Sequence, residues 1–372
     1  MAVLKASTKA AQLTIQQGGG FLVALFALPW LLLTTSTALA DAPYIEFSSD
    51  SYSPAFTIQA LIDGEPNTPK SGDSIYSFNR FSAGWRTKHW SIGVSTRYDG
   101  IIRHSPDAAL LYHQDKAKVP IDKDQQYDYH LRADILQSTG LSLGLEKQVN
   151  PILKVAARGH VYKTSQLTNG AISGNIGLNG AQLNGGLNVN YRYEEDKLFD
   201  RPISVQPTGT AYSLDIDITA DLEPWLLQLE ITDLIHRAYW EDAPTTIAHA
   251  SPNTQAVDAN GLLQVSPVIR GREFNQDFMQ RLPMRSSASV SRSIAKEHSI
   301  TAKVKSIDNR YYPKLSYGHQ FDAEQNLEIG YETKARSIHI SWQLSQFRVG
   351  LSLDNSFNKA HRALLNINYN ID

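Results

Sequence analysis

The sequence predicts an all-β chain closed into an antiparallel transmembrane β-barrel of about sixteen strands, with fourteen the other count it admits. Three observations lead there. Apolar and polar residues alternate with period two over stretches longer than soluble strands use. No segment beyond residue 40 has the unbroken apolar length of a membrane-crossing helix, and long connections alternate with short ones along the chain.

At the N-terminus, Lys5 and Lys9 precede the apolar run Phe21 to Leu33, which leads into Ala38-Leu39-Ala40 before Asp41. A basic start, a short apolar stretch and a small-x-small site together describe a secretory signal peptide. The run is about 13 residues long, against roughly 20 for a spanning helix. Residues 1–40 are therefore expected to be removed, and the barrel is assigned to 41–372. Only helices and closed barrels satisfy every backbone group in lipid, so an exported chain of this kind crosses a membrane as strands or not at all. The absence of cysteine excludes disulfides, thiolate metal sites and a lipidated N-terminal cysteine. A net charge of −2 with both signs interleaved offers no field for nucleic acid.

The alternation is explicit. Between Tyr127 and Leu145 the odd positions read Tyr127, Tyr129, Leu131, Ala133 and Ile135, then, after Gln137 and Thr139, Leu141, Leu143 and Leu145, and the even ones include Asp128, His130, Arg132, Asp134, Ser142 and Gly144. Successive strand side chains face opposite sides, so one face is apolar and the other polar. The pattern returns in Tyr212, Leu214, Ile216 and Ile218 against Ser213, Asp215 and Asp217, and again in Ile338, Ile340 and Trp342 against Ser337, His339 and Ser341. A soluble sandwich alternates too, but its strands run about 5–6 residues. Sixteen segments carry the signal: 53–63, 74–87, 89–104, 126–147, 151–165, 168–179, 182–197, 208–222, 225–240, 278–295, 297–308, 311–321, 326–334, 336–344, 346–355 and 361–371.

An even count returns both ends to the periplasm and sorts the connections. Residues 64–73, 105–125, 198–207 and 241–277 become outer loops. Thr87-Lys88, Gln148-Val149-Asn150, Asn179-Gly180-Ala181, Glu223-Pro224, Lys296 and Asp322 to Gln325 become periplasmic turns. Trp85, Trp90, Trp225, Tyr239 and Trp240 stand at strand ends, as interfacial girdles do. Three charges break the pattern. Asp233 and Arg237 share the parity of Trp225, Leu227, Leu229 and Ile231, and would face lipid unless a bulge or the outer rim relieves them. Arg292 sits likewise between Val290 and Ile294, near enough to a turn to snorkel.

On these repeated dyads the chain resembles the Gram-negative outer-membrane β-barrels of the porin-like superfamily over essentially all of Asp41 to Asp372. The terminal strand, Ala363, Leu365, Ile367, Tyr369 and Ile371, is similar to the signal such proteins present to their insertion machinery, although it ends in Asp372 rather than an aromatic residue. The resemblance implies residence in the outer membrane and partners in lipid, periplasmic chaperones and that machinery.

The polar face then lines a lumen, with Arg97, Arg103, His130, Arg132, Asp134, Arg158, Arg192, Asp215, Asp217 and Glu230 as candidate channel-lining residues. Mixed charges around a lumen filter polar solutes, and the expected function is passive, porin-like transport of small polar solutes. The alternatives are a non-channel interaction or export barrel and an outer-membrane hydrolase. For the hydrolase, His339 and Ser341 have the spacing of a strand-borne His-x-Ser pair but fall on the inferred lumen face. Asp215 with Asp217, and Asp128 with His130, have protease-like spacing in reversed chain order.

Two loops carry further signals. Ser105-Pro106-Asp107 opens a loop helix that could narrow the mouth. Loop 241–277, with Asp258-Ala259-Asn260-Gly261, reads as an external hairpin or an inward constriction. The eleven histidines are scattered, no glycine-rich phosphate loop opens a helix, and no metal or cofactor is expected.

Overall fold

A computed structural model describes residues 42–120, 125–179, 182–251, 255–257, 263–265 and 269–370. The expected signal peptide and the turn at Asp258 to Gly261 lie outside the described residues. Fourteen strands close the barrel. In chain order they are β1 (Ala42–Tyr52), β2 (Ser74–Arg86), β3 (Trp90–His104), β4 (Gln126–Gln148), β5 (Leu153–Asn179), β7 (Thr208–Leu222), β8 (Trp225–Ala250), β12 (Arg285–Ala295), β13 (His298–Ile307), β14 (Arg310–Gln320), β15 (Gln325–Glu332), β16 (Ser337–Leu344), β17 (Phe347–Leu353) and β18 (Arg362–Asn370). Each pairs antiparallel with the next, and β1 meets β18 in register from Tyr44↔Asn370 to Tyr52↔Arg362. That seam removes the last open edge, which lipid would not tolerate.

The lower of the two strand counts is the observed one, for identifiable reasons. Segment 53–63 is not a strand: Thr57 caps a short helix, α1 (Ile58–Asp63), and the first strand precedes it. Segments 151–165 and 168–179 are one strand, β5. Opposite Gln137 and Ser138 of β4, β5 leaves Ser165 unpaired in a bulge, so the break in alternation is a change of face rather than a turn. The segment at 182 forms β6 (Gln182–Tyr193) outside the ring, where it bridges the upper halves of β5 and β8. Asn179 and Gln182 thus pair at the outer end of these strands, not at the periplasmic end. Segment 278–295 divides between β11 (Ile269–Gln280), which pairs with the upper half of β8, and β12. Within loop 241–277, β11 therefore pairs antiparallel with the upper half of β8 above the ring, and two short strands, β9 (Gln255–Val257) and β10 (Leu263–Val265), pair with each other.

The wall is uneven. Strands β4, β5 and β8 have 23, 27 and 26 residues, whereas β15, β16 and β17 have 8, 8 and 7. A 27-residue strand spans about 90 Å at a rise of ~3.3 Å per residue, far beyond the ~30 Å hydrocarbon layer. On one side the sheet stands well above the membrane. The face of this extension that continues the lipid-facing parity is apolar, with Tyr127, Tyr129, Ile172, Ile176, Val189 and Tyr191. Water would not solvate it, and it is covered. Helix α2 (Pro106–Ala117), capped by Ser105, lays Ala108 and Leu111 on it, while Ala109 and Tyr112 join Phe56 and Leu61 over Ile75 and Ile102. The predicted loop helix is present, but it packs on the wall instead of entering the mouth.

Lower down, the same parity carries the belt that lipid covers. Leu141, Leu143 and Leu145 are 64%, 58% and 64% exposed, and Ile338, Ile340, Trp342, Leu315 and Ile329 continue the band. A closed ring with such a belt, short turns at the end bearing both termini and long loops at the other is an outer-membrane β-barrel. Arg292 snorkels to lie 5.0 Å over the Trp225 ring, and Arg237 lies beside the exposed Tyr212 and Tyr239 high on β8. Replacing Leu143 with Arg is expected to cost about 1–2 kcal/mol of folding stability, between the ~2–4 kcal/mol of a cation at the midplane and the ~0–1 kcal/mol near an interface, because Leu143 lies two residues from the level of Trp90. Urea titration of folding into phospholipid vesicles measures it, and an unchanged midpoint would place Leu143 away from lipid.

Candidate functional site: the barrel lumen

Asp233 is where the site begins. Lower β8 directs Leu227, Leu229 and Ile231 outward, and an uninterrupted strand would send Asp233 after them into lipid. Instead β8 bulges: Leu214 pairs with Ile235 and Ile216 with Ile231, so three β8 residues oppose Asp215. Asp233 takes φ 59°, a left-handed conformation that Asp tolerates better than most residues. Its side chain is fully buried inside the barrel. The Asp215 carboxylate accepts the Asp233 backbone N–H at 2.9 Å, which holds the bulge.

Around Asp233 a charged layer crosses the lumen. Arg97 on β3 donates to both Asp233 oxygens, at 2.7 and 2.6 Å, although β4, β5 and β7 separate the two strands in the ring. Arg97 also bonds Asp99, and Arg285 of β12 reaches Asp233 at 2.9 Å while lying 4.3 Å from the Phe78 ring centre on β2. Arg80 of β2 reaches Asp215 of β7 at 2.5 Å. His160 lies 3.1 Å from the same carboxylate and 3.0 Å from the Tyr162 hydroxyl. A second group closes the opposite wall. Asp50 of β1 pairs with Arg362 of β18 and with Lys305 of β13, and Arg362 reaches Glu332 at 3.4 Å. Beside it Tyr52, Tyr76 and Tyr312 form a triangle with ring centres 5.6 to 5.9 Å apart, packed with Phe78, Ile101 and Ile307. The described lumen is closed at this level.

On the periplasmic side of the layer two cavities open. One, of about 470 Å³, is lined by six basic side chains (Arg285, Lys303, Lys305, Lys314, Arg348, Arg362) and four carboxylates (Asp50, Glu230, Glu328, Glu332), with His339, Ser341, Asn366 and Asn368 among its neutral groups. The other, of about 320 Å³, holds Glu46, Arg86, Glu146, Lys154, Arg158 and Asp217. Arg158 and Arg86 bond the two oxygens of Glu46, at 3.0 and 2.7 Å. At the outer end a latch spans the mouth. Arg103 of β3 donates to both oxygens of Asp308, at 2.7 and 2.5 Å, from the far side of the ring, and Arg310 bonds Asp308 and Asp73, each at 2.8 Å. Burial raises the Asp308 carboxyl, but hydrogen bonding and charge from Arg103, with the charge of Arg310, outweigh it and hold Asp308 below its ordinary value. The turn itself, Asp308-Asn309, has both residues at positive φ, 50° and 59°, the geometry of a tight two-residue hairpin.

The ten candidates from the sequence thus separate by height. Arg97 and Asp215 belong to the charged layer, Arg158 and Asp217 to the smaller cavity, and Glu230 to the larger, where it accepts from Ser287 at 2.6 Å and Lys303 at 3.1 Å. Arg103 and Asp134 bond each other at 3.1 Å below the mouth. Arg132 and His130 follow on the same face of β4 but are exposed, and Arg192 on β6 lies 4.6 Å over the Phe278 ring. His339 and Ser341 line the larger cavity, away from lipid. Asp128 and Asp215 pair with Asn175 and Arg158 of β5, which puts roughly 50 Å of strand between the two protease-like pairs. Arg80, Asp233, Arg285, Asp50 and Arg362 were absent from the candidates. Asp233 alone carried a signal, its misfit with the lipid-facing parity.

No family model matches the chain, and no curated protein matches it. Solved structures do resemble it. A TodX monoaromatic hydrocarbon channel variant is 10% identical, with 90% of each chain covered and a TM-score of 0.43. The Ralstonia pickettii toluene transporter TbuX is 10% identical, with 90% of each covered and a TM-score of 0.39. A Pseudomonas aeruginosa FadL homologue is 9% identical, with 89% of this chain and 87% of that one covered and a TM-score of 0.34.

Removing one partner of a buried bidentate pair strands the other charge, at about 3–5 kcal/mol. Asp233→Ala is therefore expected to lower stability by that amount, while Arg97→Met with Asp233→Leu should recover most of it. Equilibrium unfolding in vesicles distinguishes the cases, and equal losses in the single and double variants would contradict the pairing.

Proposed function

We propose that the protein is a gated transport barrel that lets a small polar solute, preferentially an anion, cross the outer membrane through its lumen. The observation that carries the reading is the 470 Å³ cavity with six basic groups against four carboxylates, open below and stopped above by ion pairs that bridge opposite walls. A polar, cation-rich vestibule attracts anions and solvates them. Ion pairs that can exchange partners within the layer, as Arg285 can between Asp233 at 2.9 Å and Asp99 at 3.9 Å, suit a gate. Export with removal of residues 1–40, and insertion through the terminal strand by the periplasmic chaperones and assembly machinery, belong to the same reading.

Planar-bilayer recording tests it. The wild type is expected to conduct rarely at neutral pH. Arg97→Ala combined with Asp233→Ala, which leaves space, removes one charge of each sign and leaves Asp99 and Arg285, 3.9 Å apart, to pair with each other, should conduct steadily with anion preference. Silence from that variant, when its heat-modifiable migration shows an intact barrel, would end the channel reading; cation preference would end the anion assignment.

Acid adds a further check through the latch. Because Asp308 titrates below its ordinary value in the folded chain, its contribution is complete above the unfolded value and disappears as pH falls through the lowered one. Opening frequency is therefore expected to rise only in strongly acidic solution, below pH about 4. Asp308→Asn should open more often at neutral pH and lose this part of the acid response.

A further inference from the structure

The cross-strand pair His298 and His319 lies at the periplasmic end of the β13–β14 hairpin, outside the lumen. The two residues are in direct register, and their Nδ1 atoms lie 3.3 Å apart with the rings stacked at 4.9 Å. Their parity is that of Ile300 and Leu315, so they face outward at the membrane boundary. Glu297, in the preceding turn, accepts the Gln320 backbone N–H through its carbonyl at 2.8 Å, which anchors it beside His319. One ligand atom from each of Glu297, His298 and His319 falls within 4.8 Å of the others. The Tyr317 hydroxyl lies 2.5 Å from His298 Nδ1, and Phe321 packs edge-on against the His319 ring at 4.4 Å, so both imidazoles are held in place.

From this geometry we infer that Glu297, His298 and His319 form a binding site for a divalent transition cation of the zinc type, independent of the transport path. Two nitrogens bound at ~2.0–2.1 Å to a tetrahedral ion sit about 3.3–3.4 Å apart, which is the spacing already present between the imidazoles. Two imidazoles and a carboxylate suit zinc or copper; magnesium and calcium prefer all-oxygen shells. The Tyr317 hydroxyl gives up its hydrogen bond to His298 Nδ1 when the ion takes that lone pair, and the fourth position is open to water. An ion there would tie the two strands together at the lipid boundary, adding a metal-dependent clamp to a hairpin otherwise held by backbone bonds.

The test is calorimetric titration of Zn²⁺ into the full barrel, folded in detergent and carrying no polyhistidine tag, near neutral pH. One ion per chain is expected, undiminished by excess Mg²⁺, with a rise in unfolding temperature that a chelator reverses. Loss of an outer-shell partner alone costs about 10- to 100-fold in metal affinity, so His298→Ala and His319→Ala should each lose at least tenfold. His298→Asn and His319→Gln serve if an alanine variant fails to show heat-modifiable folding, and His249→Ala should bind as the wild type does. No saturable Zn²⁺ binding by the wild type, or binding indifferent to His298 and His319, would overturn the assignment.

Discussion

Every backbone N–H and C=O that enters hydrocarbon must find a partner within the chain, because lipid offers none. In this protein the β1–β18 seam meets that demand by giving the first and last strands to each other. Once the ring is closed, the two-residue period of a strand leaves no freedom: alternate residues meet lipid and lumen. The apolar belt of Leu141, Leu143 and Leu145 and the polar wall of Ser138, Ser142 and Arg158 are two faces of one constraint.

A ring of fourteen strands brings opposite walls close enough for long side chains to meet. The polar interior that closure requires therefore becomes a set of bridges rather than an open bore. Charges at this depth are tolerable only when paired and hydrogen-bonded, and the Arg97, Asp233, Arg285, Asp99 group and the Asp50, Arg362, Lys305 group meet that condition. The β8 bulge makes the first of them possible. Without it Asp233 would face lipid and Arg97 would lack its bidentate partner. A local backbone irregularity thus fixes the level at which the lumen closes.

Above the membrane the same alternation creates a different problem. Strands β4, β5 and β8 continue beyond the bilayer while keeping their apolar face. That face needs a cover other than lipid, and α1, α2 and the chain around Leu198 and Phe199 supply one. The long outer loops are therefore partly structural, and the lumen is closed by side chains of its own wall.

The barrel itself was legible in the sequence. Uninterrupted alternation through Leu141 to Leu145 and through Ile338 to Trp342, with short turns at Thr87 and Glu223, specifies strand, face and direction from neighbours two residues apart. The misfit of Asp233 was legible too, as a demand for a bulge. The strand count was not, because a bulge at Ser165 and a turn there interrupt the pattern alike, and only the pairing of β4 with both halves of β5 tells them apart. Nor could local pattern show which inward charges meet: Arg97 with Asp233, Lys305 with Asp50 and Arg103 with Asp308 are joined across the ring by closure. Periodicity is a property of one strand, and the sequence by itself determined faces; contact across a lumen is a property of the closed ring, so the tertiary structure alone decided where the barrel is shut and which charges shut it.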